Sequence, residues 1–267
     1  MEKFQLVQPS KLLRPYVKQY WFLAIDNAER SSQRYVPSGC AVLAFHRGDK
    51  IYSTLHQEMQ PRSSLCGQSV SYTDVVYSGN LNLVMVIFQP VAARVVLGIP
   101  MNNLRDKNVD VELLGDASLI ELEKWIMETE DNNQCVYLIE QYLLKKLYGF
   151  TSERFARMNA VVQSINDGQQ DITELSQSAC LGYKQFKRVF TEYTGLNPKE
   201  FLQIARFRNA LHCLHAGSQI RLNQLAYDWG YCDKSHLIKD FMTAHLQKKK
   251  HFNRVFLHFL FDFPLLE

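Results

Sequence analysis

From about Tyr20 to Gln89, short apolar runs alternate with turn-forming residues. The runs are Tyr20-Trp21-Phe22-Leu23, Cys40-Ala41-Val42-Leu43-Ala44-Phe45 and Leu83-Val84-Met85-Val86-Ile87-Phe88. Between them lie Pro37-Ser38-Gly39, Arg47-Gly48-Asp49 and Ser78-Gly79-Asn80, which suit tight turns because Gly and Asn tolerate positive φ. Apolar runs of this length, bounded in this way, predict strands of a β-rich domain. Pro90 ends the last of them.

Beyond Pro90 the period becomes helical. Asp116 is placed to cap a helix carrying Leu119, Leu122 and Ile126 on one face. A second helix is predicted from about Gln134 to Tyr148, with Val136, Ile139, Leu143 and Leu147 on one stripe. Such a pair either packs onto the preceding strands or forms an oligomer interface. A boundary falls near Gly149-Phe150-Thr151-Ser152-Glu153, dividing the chain into residues 1–150 and 151–267. After it, the sequence reads as helix after helix with short breaks.

One unit appears twice in that helical part. The first copy runs from Ile172 to Gly182 and continues through Tyr183-Lys184-Gln185-Phe186-Lys187-Arg188-Val189-Phe190. The second runs from Ile220 to Tyr231 and continues through Cys232-Asp233-Lys234-Ser235-His236-Leu237-Ile238-Lys239-Asp240-Phe241. Each predicts a short helix, a tight turn and a second helix with one apolar face, a helix-turn-helix unit. Ala226 and Gly230 supply the small residues that closely crossing helices need, and Gly230 suits a turn of positive φ. Phe186 and Phe190, or Leu237 and Phe241, anchor the second helix. That leaves Lys184, Gln185, Lys187 and Arg188, or Lys234, Ser235, His236 and Lys239, facing outwards. A helix presenting such donors fits a DNA major groove, with Lys on phosphates and Arg, Lys, Ser or Gln on base edges. A long helix from Pro198 through Ile204 and Ala210 to about His215 separates the two units. At about 1.5 Å per residue it is roughly 27 Å long. With its flanking helices it can hold two reading helices about one DNA turn, around 34 Å, apart.

Charge supports this placement. The 267 residues carry a formal charge of only +3. Residues 1–150 hold 15 Lys+Arg against 16 Asp+Glu, whereas residues 151–267 hold 15 against 11, so the positive excess lies wholly in the helical part.

At these residues the sequence resembles the AraC/XylS family of bacterial transcription regulators. The resemblance is carried by Ala179 to Leu211 and by Leu225 to Phe241. Phe190, Thr194-Gly195, Pro198, Arg206 and Ala210 match the link between that family's two helix-turn-helix motifs. Gly230-Tyr231, Ser235-His236 and Phe241 match its second motif. More weakly, Leu12 to Phe22, Val36 to Asp49 and Val86 to Pro100 resemble the sensor half of one branch. The resemblance implies an α+β protein: a β-rich, cupin-like N-terminal domain followed by helices, then an all-α C-terminal domain with two helix-turn-helix motifs. It also implies a cytoplasmic, activator-like regulator of double-stranded DNA, with RNA polymerase, a small-molecule effector and a second copy of the chain as partners.

Two positions depart from the family pattern. Cys180 stands where the family has Gly in the first turn, a conformation costing a non-Gly residue about 1 kcal/mol. After Phe241 the family continues with a short helix, a Gly, a Ser/Thr-Pro and an aromatic residue. Residues 242–267 here are Phe-rich and lack any Gly. This tail either folds back onto the last helices or results from a reading-frame change. The second case leaves an alternative function, an effector-binding or dimerisation module with impaired DNA binding.

Other classes fit less well. A cupin metalloenzyme needs clustered His and carboxylate ligands, and residues 1–150 contain only His46 and His56. His212 and His215 share a helix face but lack a second ligand pair. Neither metal, cofactor nor catalytic residues are therefore expected. The N-terminal residues lack a signal-peptide core, no apolar run is long enough for a bilayer, and the six cysteines form no CxxC pair. These features agree with reduced thiols inside a cell.

Overall fold

The computed structural model describes residues 2–215 and 222–238. The front of the chain is one eight-stranded antiparallel sheet built from β1 (Glu2–Val7), β2 (Val17–Tyr35), β3 (Val42–His46), β4 (Tyr52–Ser53), β5 (Glu58–Met59), β6 (Ser63–Cys66), β7 (Thr73–Phe88) and β8 (Asn108–Asp110). Its order is β1-β2-β7-β3-β6-β8, and the small β4-β5 ribbon joins β7. The expected α+β order of a β-rich front and a helical back is therefore present.

The sheet gains its shape from the long β2-β7 pair, which runs from Val17 opposite Phe88 to Tyr35 opposite Thr73 with register shifts along it. Successive side chains on a strand point to opposite faces, which splits each apolar run between two cores. Tyr20, Phe22, Leu43, Phe45, Val84 and Val86 enter one core, and Trp21, Leu23, Ala44, Leu83, Met85 and Ile87 the other. These runs read as continuously apolar because both sides of the sheet are covered.

Ser78-Gly79-Asn80 does not turn the chain. It lies inside β7, where the pairing with β2 shifts register around Ala28 opposite Gly79. Gly79 has φ +80, and a Cβ there would collide with the Asp49 carboxylate. That carboxylate accepts the Asn80 N–H at 2.8 Å. The local Gly signal is real, but a bulge absorbs it because long-range pairing continues on both sides.

After β7 come α1 (Ala92–Leu97), a 3-10 turn (Met101–Leu104), α2 (Ala117–Glu128) and α3 (Asn132–Leu147). Asp116 caps α2, accepting from the N–H groups of Ser118 and Leu119. Leu119, Leu122 and Ile126 are buried in the first core, joined from α3 by Cys135, Ile139, Tyr142 and Leu143. Val136 and Leu147 are only half-buried, so the inward stripe of α3 is rotated from the predicted one towards Cys135 and Tyr142. The predicted apolar faces thus pack onto the sheet of their own chain.

The remaining helices are α4 (Glu153–Asn166), α5 (Ile172–Ser178), α6 (Tyr183–Thr194), α7 (Pro198–His215) and α8 (Leu222–Asp228), and the chain is helical again over 234–238. Their core also takes in Val91 and Ala92 from the front of the chain. Tyr16 stacks on Phe155 with centroids 5.2 Å apart. Arg94 pairs with Glu192 at 2.9 Å, and Arg105 grips Glu200 through two bonds of 2.9 Å. Front and back therefore share packing and ion pairs.

Candidate nucleic-acid interface

The first motif is set by its turn. Asp171 caps α5 by accepting from the N–H groups of Thr173 and Glu174. At the other end Cys180 has φ 54. The Cys180 N–H donates to the Gln177 carbonyl at 2.8 Å, and the Leu181 N–H to the Ser176 carbonyl at 3.0 Å. This is a Schellman closure, in which a left-handed residue satisfies the last helical carbonyls.

The second motif repeats it. Gly230 has φ +69. Its N–H donates to Tyr227 at 3.1 Å, and the Tyr231 N–H to Ala226 at 2.8 Å. Leu175 and Ser176 in one copy, and Leu225 and Ala226 in the other, are the buried residues at matching places. The second turn is one residue longer. Gly182 precedes α6, with Phe186 N–H on its carbonyl, whereas Asp233 precedes the helix over 234–238, with Leu237 N–H on its carbonyl. Phe186 therefore corresponds to Leu237, and both are fully buried.

The α6–α7 link gives the other motif residues physical roles. Phe190 meets Phe201 edge-on at 5.4 Å. The Thr194 hydroxyl accepts the Leu196 N–H and lies within hydrogen-bond reach of the Phe190 and Leu196 carbonyls. Gly195 closes α6 at φ +82. Pro198 starts α7, as expected, and Glu200 accepts the Asn197 N–H. From the middle of α7, Arg206 donates to the Gly230 carbonyl at 3.1 Å and lies over the Tyr231 ring. Ala210 is buried against the second motif with Leu225, Ala226 and Leu237. The long helix thus holds the second turn directly.

Lys184, Gln185, Lys187 and Arg188 are all exposed on α6, opposite the buried Phe186, Val189 and Phe190. Lys234 and Ser235 are exposed as well. His236 differs: its ring packs edge-on against Tyr231 at 5.3 Å and its backbone N–H donates to the Asp233 carboxylate at 2.7 Å. Lys239, Phe241 and the tail 242–267 lie outside the described residues.

Residues 175–259 match a family model described as a helix-turn-helix domain. This chain carries a helix-turn-helix domain. Such a domain supports DNA binding by a transcription regulator. The match starts within α5 and runs past Phe241. Residues 5–110 match a second model, described as a domain of unknown function. No curated protein matches the sequence. Among solved structures the chain is similar to ToxT from Vibrio cholerae O395 at 12% identity and TM-score 0.44, over 97% of this chain and 98% of that one. A structure of fatty-acid-bound ToxT from Vibrio cholerae strain SCE256 matches at 12% identity and TM-score 0.44, over 84% and 91%. The AraC-like transcriptional activator CuxR matches at 9% identity and TM-score 0.31, over 82% and 87%.

Around the helix-turn-helix domain the structure adds residues that sequence spacing did not single out. Lys184, Lys187 and Arg188 line one side of an open groove of about 600 Å³ whose other side is Pro100, Asn102 and Asn103. Gln185 faces a smaller hollow together with Arg154 and Arg157 of α4. Only Arg157 carries an ion pair there, with Glu153 at 3.3 Å. The signal available in the sequence was the Arg154–Arg157 spacing, one helical turn apart. Nothing local marked Asn102 and Asn103, which reach the groove through tertiary packing.

A cavity of about 150 Å³ lies against the sheet face that carries Val42, Ala44, Leu83 and Met85. Its mouth includes Gln68 and the Asp106–Asn108 segment. That segment is tied down by Gly67 N–H to the Lys107 carbonyl and Asp106 N–H to the Gln68 carbonyl. A Cβ at Gly67 would collide with the Leu104 carbonyl, so glycine is required for this approach. Among the described residues no group of three or more His, Cys, Asp or Glu is placed to hold a metal, and no helix is long and apolar enough to cross a membrane.

Proposed function

We propose that the protein is a sequence-specific, cytoplasmic transcriptional activator that lays α6 and the helix beginning at Lys234 into two successive major-groove segments of double-stranded DNA. Lys184, Lys187 and Lys234 neutralise phosphates, while Gln185, Arg188 and Ser235 read base edges. His236 orients the second reading helix through Tyr231, and Lys239, outside the described residues, is a further candidate phosphate contact. The observation that carries this reading is the Schellman closure repeated in both units, each followed by a second helix with exposed polar side chains. Residues 151–267 form the DNA-binding domain in this proposal, and residues 1–150 form a cupin-like sensor and dimerisation domain that receives a small effector. Trp125 of α2 and Tyr137 of α3, both exposed, support a homodimer contact there. RNA polymerase is the partner through which binding raises transcription.

Binding to the protein's own upstream DNA, followed by gel shift across salt concentrations, tests the proposal. A shift whose affinity falls steeply with salt is expected, because each neutralised phosphate releases counterions. Absence of any shift at low salt overturns it.

A further inference from the structure

Two buried side chains on the wall of the sheet cavity carry polar atoms without a well-formed hydrogen bond. Gln68 is 3% exposed, and neither its Oε1 nor its Nε2 meets a partner; His46 is 2% exposed, and the Gln60 side chain approaches its ring. Leaving such groups unsatisfied is costly, and native proteins do so rarely. Here both line the same cavity, whose apolar wall is Val42, Ala44, Leu83 and Met85.

Two cations act on the lining from behind: Arg208 donates to the Ser38 carbonyl at 3.3 Å and, with Lys18, acts on the Cys40 thiol. Burial first and Lys50 second lower the His46 imidazole to about 4, against a hydrogen bond with the Gln60 side chain. Burial likewise raises the Cys40 and Cys66 thiols, leaving both uncharged. The charged residues of the lining stay at its rim: Lys107 is exposed and donates to the Asn103 carbonyl at 3.0 Å, and Asp106 is exposed beside Arg105. His56 is held at both ring nitrogens, by Ser53 and by the Asp106 carbonyl. A carboxylate offers no donor to the Gln68 Oε1 and an ammonium no acceptor to its Nε2, whereas a primary amide offers both. A volume of about 150 Å³ matches hollows that take a single benzene-sized ring.

We propose that this cavity binds an uncharged, ring-sized ligand bearing an amide-like donor and acceptor, which the Gln68 side chain meets with its own acceptor and donor. The ring lies against Val42, Ala44, Leu83 and Met85, and His46 offers one further nitrogen. That such a ligand acts as an effector rests on reading residues 1–150 as a sensor; that it binds does not.

The test is fluorine NMR on the full chain, without DNA, with three matched probes: 4-fluorobenzamide, 4-fluorobenzoate and 4-fluorotoluene. The expected result is saturable binding of the amide at least fivefold tighter than either comparator, and loss of its advantage over the toluene in Gln68→Leu. That variant replaces an unsatisfied buried amide by an apolar group of similar size and should fold. Ala44→Leu, which narrows the cavity without touching Gln68, is expected to weaken all probes. The proposal is overturned when benzoate binds as tightly as the amide, when the preference survives Gln68→Leu, or when none of the probes binds at millimolar concentration. A missing DNA shift alongside intact amide binding removes the regulator reading and leaves this site standing.

Discussion

Cys180 and Gly230 occupy the same place in two turns fifty positions apart, each the left-handed residue that closes the first helix of its motif, at φ 54 and 69. A residue with a Cβ is strained in this conformation by about 1–2 kcal/mol, partly offset by the lower backbone freedom it loses on folding. Cys180→Gly should therefore stabilise the protein by about 0.5–1 kcal/mol, and Gly230→Ala should destabilise it by about 1–2 kcal/mol. Denaturant unfolding of the two variants checks both signs; a stability loss in Cys180→Gly contradicts the strain argument.

The outward face of α6 gives a pair of distinguishable effects. Lys187→Ala should weaken binding to all DNA sequences alike and lower the salt slope by about one. Arg188→Ala should cost about 1–3 kcal/mol on the preferred site and relax sequence preference. Anisotropy titrations on specific and scrambled duplexes separate the two.

Asn102 and Asn103 supply a test from outside the helix-turn-helix units. Each lies across the groove from Lys184, Lys187 and Arg188. Asn102→Asp or Asn103→Asp introduces a carboxylate beside the phosphate path and should lower DNA affinity about three- to tenfold at low salt, with the effect shrinking as salt screens it. Unchanged affinity places the DNA away from this groove.

Asp116 binds acid stability to a single cap. Burial alone would raise its carboxyl, but hydrogen bonds from Lys146, Ser118 and Tyr142 outweigh it and hold the group at about 2. A depressed carboxylate stabilises the fold above its unfolded value, near 4, and loses that contribution as pH falls towards 2. Asp116→Ala should cost about 1 kcal/mol at neutral pH from the lost cap and should flatten the stability profile between pH about 4 and 2. Melting curves across that window show it.

His46 acts at milder pH. Its folded value lies near 4, below the ordinary 6.5, so the unfolded chain binds more protons between those values and stability falls on acidification. The slope from this group approaches about 1.4 kcal/mol per pH unit within the window. His46→Gln should remove it, readable as a smaller drop in melting temperature from pH 7 to 5.

Elements governed by neighbours in sequence were legible from the residues alone. The cap at Asp116 and the extent of α7 follow from local chemistry, and the structure puts each where that chemistry directs; the left-handed place of Cys180 was legible only through the family resemblance. Gly79 shows where local reasoning stops: its positive φ was readable, but the long pairing of β2 with β7 turned an expected reversal into a bulge. On α6, burial of Phe186 and Phe190 followed from spacing, which fixed the outward residues too. Arg154 and Asn103 approach that face from separate elements, and no periodicity along the chain encodes such approaches. The one-residue difference between the two turns was equally hidden until Gly182 and Asp233 were seen in the same role.

The segment from Met101 to Asn108 belongs to two neighbourhoods at once. Its first part packs against α6, Arg105 holds Glu200 at the start of α7, and its last residues frame the mouth of the sheet cavity over Gly67 and Gln68. Whatever free energy an occupant of the cavity adds to or removes from DNA binding through this strip must return, as the same factor, in the occupant's own affinity once DNA is bound. The strip would then act as a balance beam rather than a one-way relay, and the promoter would set the sensitivity of the sensor as much as the sensor sets the use of the promoter.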